Sequence, residues 1–105
     1  GGLDIGNECI IGPYLSCHPE NHNSTDTNIS IRLQGVNRRG IIIGPNCWIG
    51  AKVTILDGVV IGQGSIIAAG AVVTKSFPEN SVIGGVPSKL LKIRTNSTIN
   101  KNQLT

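Results

Sequence analysis

An apolar β-branched residue returns every six positions through the middle of the chain: Ile43, Ile49, Ile55, Ile61, Ile67 and Val73. The next residue is small in four of the five full units (Gly44, Gly50, Gly62 and Ala68), with Leu56 the exception. Four positions after each start stands another modest side chain: Cys47, Val53, Val59, Ser65 and Ala71. A fixed internal repeat constrains the fold before any local propensity does. A period of six fits neither the 3.6-residue turn of a helix nor the two-residue alternation of a plain strand. It fits a flat-sided parallel β-helix, in which each unit makes one short strand and one turn and three units close a coil. The starting residue then points inward and stacks on its counterpart 18 positions on, Ile43 on Ile61 and Ile49 on Ile67. The small residue takes the corner, where a Cβ crowds the turn. The fifth residue also points inward and has to be slim. The expected class is all-β.

Two more units open the chain, starting at Ile5 and Ile11 with Cys9 and Leu15 at the inward fifth positions. From Ile11 to Ile43 is 32 positions, which is not a multiple of six. Residues 17–42 are therefore read as a loop thrown out of the β-helix. This segment is rich in Asn, Ser and Thr and holds both histidines, His18 and His22, with Arg32, Arg38 and Arg39. Long loops inside compact domains are uncommon and usually functional. Ile29–Leu33 is expected to be extended. Residues 75–86 close the repeats, with Val82-Ile83-Gly84 as a last partial unit. Pro87 suits the first position of a helix, so a short helix over about 87–94 is expected to cap the open end, as solenoids require. Residues 1–94 form one domain in this reading, and 95–105 a polar tail. The start at Gly1-Gly2 and the lack of Met read as a processed, engineered or excised piece.

A chain of 105 residues with 14 glycines and 3% aromatics suits stacked aliphatic rungs better than a conventional packed core. So small a domain buries a limited share of its surface, and oligomerisation is expected. The net charge of +3 comes without a Lys/Arg run, which argues against nucleic acid. The longest uncharged apolar stretch, 59–74, is interrupted by Gln63 and three glycines and falls short of the roughly 20 residues a membrane helix needs. No secretory leader is legible. Cys9, Cys17 and Cys47 include no CxxC pair; Cys9 and Cys47, at inward fifth positions, read as small core residues, and a reducing, cytoplasmic setting follows. Two histidines with no Cys/His ligand spacing give no case for a metal.

The segments IGPYLSCHPENHN, SIRLQG, WIGA, IAAGAVVTK and IGGVPSK together resemble the hexapeptide-repeat acetyltransferases, in the branch holding galactoside, maltose and capsular-polysaccharide O-acetyltransferases. The resemblance covers most of residues 3–94. It implies a left-handed β-helix, a handedness that generic crossover rules would not give. It also implies a homotrimer with active sites between subunits. The implied reaction is direct transfer of acetyl from acetyl-CoA to a hydroxyl of a sugar or surface polysaccharide. His22 matches the family's catalytic histidine, a role that suits imidazole as a proton acceptor and donor in water. His18 is the competing base, and Cys17 beside it a less suited nucleophile. The resemblance assigns Ala51 to the thioester end of the donor, its N–H a candidate oxyanion donor. It assigns Ala69 and Gly70 to the pantetheine arm, Thr74 and Lys75 to CoA, and Lys89 and Lys92 to the nucleotide phosphates. Asn21 and Trp48 fall on the acceptor or channel wall, with Asp26, Arg32 and Gln34 as weaker acceptor-side candidates. Acetyl transfer to an amine, and a non-catalytic scaffold, are the alternative readings.

Overall fold

The computed structural model describes residues 1–96. The tail expected at 95–105 lies outside the described residues from position 97 on. The chain winds into a three-faced prism of short parallel strands. The first coil is β1 (Leu3–Ile5), β2 (Ile10–Ile11) and β3 (Ser16–His18). A projecting loop follows, with β4 (Asn21–His22) paired antiparallel to β5 (Val36–Asn37). The second coil is β6 (Ile41–Ile43), β7 (Trp48–Ile49) and β8 (Thr54–Leu56). The third is β9 (Val60–Ile61), β10 (Ile66–Ile67) and β11 (Val72–Val73). Phe77 bridges to Ile61 to begin a fourth, which ends in β12 (Ser81–Gly85) and β13 (Ser88–Ile93).

The faces are the sheets β1-β6-β9, β13-β12-β10-β7-β2 and β11-β8-β3. Ile43 pairs with Ile61, Ile49 with Ile67 and Ile55 with Val73, the 18-residue stacking that the repeat demands. Across the loop, Ile5 pairs with Ile43, Ile11 with Ile49 and Cys17 with Ile55. Cys17 thus starts a regular unit, and the loop departs after His18 and returns before Ile41, a shorter excursion than 17–42. Local sequence could not show this, because Cys is an unusual occupant of the starting position. Ile31–Leu33 forms a single 3₁₀ turn instead of the expected extended piece.

The starting residues from Ile43 to Val73 are buried and stack into aliphatic columns. The fifth-position column changes character along the axis. Cys9 packs on the core, Cys47 is buried, and Ser65 and Ser81 are buried hydroxyls. Those hydroxyls are satisfied by nearby carbonyls: Ser65 Oγ donates to Gly62 O at 2.7 Å, and Ser81 Oγ to Pro78 O at 2.6 Å. Ser65 Oγ also accepts the Ser81 N–H at 3.2 Å. A buried polar atom left unpaired is costly, and here the close corners supply the partners. They are close because the second position lacks bulk: a Cβ on Gly50 would stand 2.6 Å from the Ala69 nitrogen of the next coil.

The helix expected over 87–94 is a strand. Gly85, at φ +98°, turns the chain back, and β13 pairs antiparallel with β12. The last coil would otherwise leave one side of β12 with unpaired backbone groups. A returning strand satisfies them, which a helix lying across the end could not do. Pro87 therefore belongs to the hairpin turn.

Candidate active site

The prism has three long edges, and they separate the candidate residues. Ala51 sits in the turn between β7 and β8, and Ala69 and Gly70 in the turn between β10 and β11. These turns stack on one edge, with the Gly70 N–H donating to Ala51 O at 2.9 Å. Small residues line the edge at Gly12, Gly50, Ala51, Ala68, Ala69 and Gly70, with Tyr14 and Lys52 as the bulky side chains among these turns and Leu91 lying against Gly84 at the last coil. A Cβ at Gly12 would lie 2.8 Å from the Ala51 nitrogen. Gly70 has φ +76°, and nothing stands within 4 Å of where its Cβ would be. The backbone there is open to an incoming ligand.

Lys89 and Lys92 extend this side at the last coil. In β13 they are three residues apart, a spacing that in a regular strand would aim them to opposite faces. Lys89 pairs with Gly84 and Lys92 with Val82, across an irregularity between Val82 and Ile83. The bulge adds one residue at Leu91, and since paired residues share a face, both lysines point outward. A helix would also have put positions three apart on one side.

Thr74 and Lys75 lie on another edge, in the exposed turn after β11. The Lys75 ammonium sits 5.6 Å from the Phe77 ring centroid, a cation–π contact that limits where the charge can go. The loop leaves from this same edge one to two coils earlier. Its stem is closed by a salt bridge, Arg38 Nε to Glu20 Oε2 at 2.7 Å. The Arg38 hydrogen bond, followed by its charge, holds the Glu20 carboxyl below its ordinary range. The returning end is tied down by Asp57. Its Oδ1 accepts the N–H of Gly40 at 2.7 Å, and both its oxygens accept that of Arg39. Partial burial pushes the Asp57 carboxyl up, but the two backbone donors together outweigh it and leave it titrating low.

His22 stands exposed in β4, its backbone paired opposite Val36, with Asn21 opposite Asn37. The tip beyond it is held by Gln34. Its Nε2 donates to Asp26 O and Ile29 O, both at 2.8 Å, and its Oε1 accepts the Asp26 N–H at 3.3 Å. Asn23 Nδ2 donates to Gln34 O, and Asp26 Oδ1 accepts the Asn28 N–H. Asp26 and Gln34 are therefore engaged in building the loop, while Arg32 stands exposed in the 3₁₀ turn.

His18 is outside the loop proper, at the end of β3, with Nε2 2.8 Å from Ser16 Oγ. The Cys17 side chain packs inward on the core, and burial raises its thiol pKa. It is held as the thiol, away from nucleophilic use. Trp48 lies on the middle of a face, flanked by Ile10 and Ile66, and is 56% exposed. Among the described residues no group of three or more His, Cys, Asp or Glu is placed to hold a metal, and no helix is long and apolar enough to cross a membrane. Sequence reasoning missed Asp57, whose Asp-Gly setting looks like an ordinary turn, and it passed over Tyr14.

One chain does not bring these groups together. The donor-side turns of Ala51, Ala69 and Gly70 occupy one edge, and the His22 loop with Thr74 and Lys75 occupies another. No enclosed pocket forms among the described residues.

Residues 40–75 match the bacterial transferase hexapeptide (six repeats) family. Over 86% of its length the chain is 34% identical to an Escherichia coli K12 protein named for lipopolysaccharide biosynthesis O-acetyl transfer, WbbJ, of which the match spans 50%. The solved hexapeptide-repeat acetyltransferase of Vibrio cholerae O1 biovar eltor, in complex with acetyl coenzyme A, aligns with a TM-score of 0.80 at 32% identity, over 90% of this chain and 50% of that one. A galactoside acetyltransferase in complex with coenzyme A gives 0.77 at 36% identity, over 87% and 44%. The chain thus spans about half the length of these relatives. The stacked six-residue units, the looped-out hairpin and these matches together make this chain a member of the hexapeptide-repeat acetyltransferases, with their left-handed parallel β-helix.

Proposed function

We propose that this chain is the catalytic β-helix of an acetyltransferase that moves acetyl from acetyl-CoA to a hydroxyl of a sugar or surface polysaccharide, working as a homotrimer. One observation carries the reading. The open donor edge and the loop histidine lie on different edges of one prism, so two copies side by side can present both to a single channel. Threefold association gives three such channels. It would also cover apolar side chains that face outward, Trp48 and Ile10 on one face and Ile42 and Val60 on another. The relatives solved with acetyl-CoA and CoA support the donor.

In this reading Lys89 and Lys92 hold the nucleotide phosphates as point charges, with Lys75 and Thr74 contributing from the other edge. The pantetheine arm runs over the bare backbone at Gly70 and Ala69 and brings the thioester to Ala51. The acceptor oxygen attacks the thioester carbon while His22 removes its proton. The Ala51 N–H stabilises the oxyanion as it forms. Collapse breaks the C–S bond, and the proton on His22 goes to the departing CoA sulfur. Base and acid are one group, and no covalent enzyme intermediate is needed. Asn21 and Trp48 border the acceptor end. A reducing cytoplasmic compartment, where acetyl-CoA and free thiols coexist, is the setting that fits.

A thermal-shift titration with acetyl-CoA tests the donor side. Ligand that binds only the folded state raises Tm. The expected result is a clear rise, smaller in Lys89→Ala/Lys92→Ala. No rise in well-folded trimer would contradict the reading.

A further inference from the structure

The fourth position of most repeat units turns with positive φ. Glu8, Tyr14, Asn46, Lys52 and Asn80 adopt it, as do Gly58, Gly64 and Gly70. Left-handed backbone is uncommon for a residue with a Cβ and least suited to a bulky one. Tyr14, at φ 62°, is the only aromatic among them, and it is 79% exposed. A large ring held in an unfavourable backbone and mostly exposed packs little on its own chain.

Its place on the molecule gives it a use. Tyr14 follows Gly12 and Pro13, the turn directly beneath Ala51 and Lys52: Pro13 O accepts the Lys52 N–H at 2.9 Å. Along this edge the proposed donor runs from Lys89 past Gly70 and Ala69 to its thioester at Ala51. Tyr14 is the next rung, about 5 Å further on, beyond the reactive end. The residues after it alternate. Leu15 and Cys17 pack on the core, while Ser16 and His18 face out with Tyr14 and share the 2.8 Å Ser16 Oγ–His18 Nε2 hydrogen bond. Thr54, paired with Ser16 in the next coil, adds a second hydroxyl beside it.

We infer that Tyr14, Ser16, His18 and Thr54 form a carbohydrate subsite that holds the acceptor sugar. The Tyr14 ring lies against the apolar C–H face of a pyranose. The hydroxyls and the imidazole exchange hydrogen bonds with its ring hydroxyls, as a site that discriminates polyols requires. His18 acts here as a positioning residue. This inference rests on the reading above and names the residues that hold its sugar acceptor.

The test is acetyl transfer, with release of free CoA thiol as readout, to methyl β-galactopyranoside, methyl α-glucopyranoside and maltose. Wild type is compared with Tyr14→Ala, Tyr14→Phe, Tyr14→Gly and His18→Ala. Acetyl-CoA thermal shifts are recorded for each. Tyr14→Ala is expected to raise the acceptor KM about tenfold, the scale of one lost aromatic contact, with kcat and the acetyl-CoA shift little changed. Tyr14→Phe should restore wild-type KM. Tyr14→Gly should raise both Tm and acceptor KM, because relaxing the backbone removes the platform. His18→Ala should raise acceptor KM without altering the pH profile of kcat. An acceptor KM unmoved by Tyr14→Ala overturns the inference, as does failure of wild type to use any of these sugars while binding acetyl-CoA. Loss of the acetyl-CoA shift in wild type would instead overturn the donor reading.

Discussion

Removal of the imidazole in His22→Ala is expected to lower kcat by about two to four orders of magnitude. Tm should stay at its wild-type value, because the side chain is exposed and supports no packing. Near-full activity would pass the base to another group. Ser65→Ala is expected to do the reverse, costing roughly 1–3 kcal/mol of stability with activity per folded molecule intact. It leaves the buried Ser81 N–H without its acceptor, and denaturant unfolding reads the loss. At this scale the sequence was informative where the period spoke. The inward column of Ile and Val, and Cys47 among the slim residues, follow from phase alone. It was silent on the fourth position, because Gly70, Lys52 and Tyr14 share one backbone turn and no single residue type marks it. It also could not show which edge each candidate would join, since that depends on how 18 residues close a coil.

The loop is the element whose geometry the site depends on, and its stem is held by charge. Asp57 and Glu20 both titrate below their ordinary range when folded. Their contributions are therefore full above the unfolded carboxylate range, about pH 4, and are lost as pH falls through the lower folded values. Amide hydrogen exchange at Arg39 and Gly40 is expected to accelerate over that acid window, relative to the buried strands. Asp57→Asn should show faster exchange at neutral pH, with a lower kcat and little change in Tm. Equal protection in the variant would show that the clamp is not what holds the loop. The loop's existence was legible from the broken phase, and its ends were not, because Cys17 hid a regular starting position. The misread C-terminal element has a physical origin too. Pro87 followed by Leu and Lys scores well as a helix start, but the unpaired side of β12 settles the matter in favour of a strand.

At the scale of the whole molecule, the small core and outward-facing Trp48, Ile10, Ile42 and Val60 call for association. Light scattering is expected to give the mass of a trimer. Trp48→Glu should weaken that assembly, a charge placed where three copies exclude water. Each site is expected to take its base from one chain and its donor edge from the next. Subunit complementation tests it most directly. His22→Ala and Ala69→Trp, the second filling the pantetheine path, should each be inactive as homotrimers. Co-expressed in equal amounts, they should regain activity in about one site in four, the random share in which an intact histidine faces an intact donor edge across an interface. Mixed trimers that assemble and stay as inactive as their parents would contradict the account and return the site to a single chain.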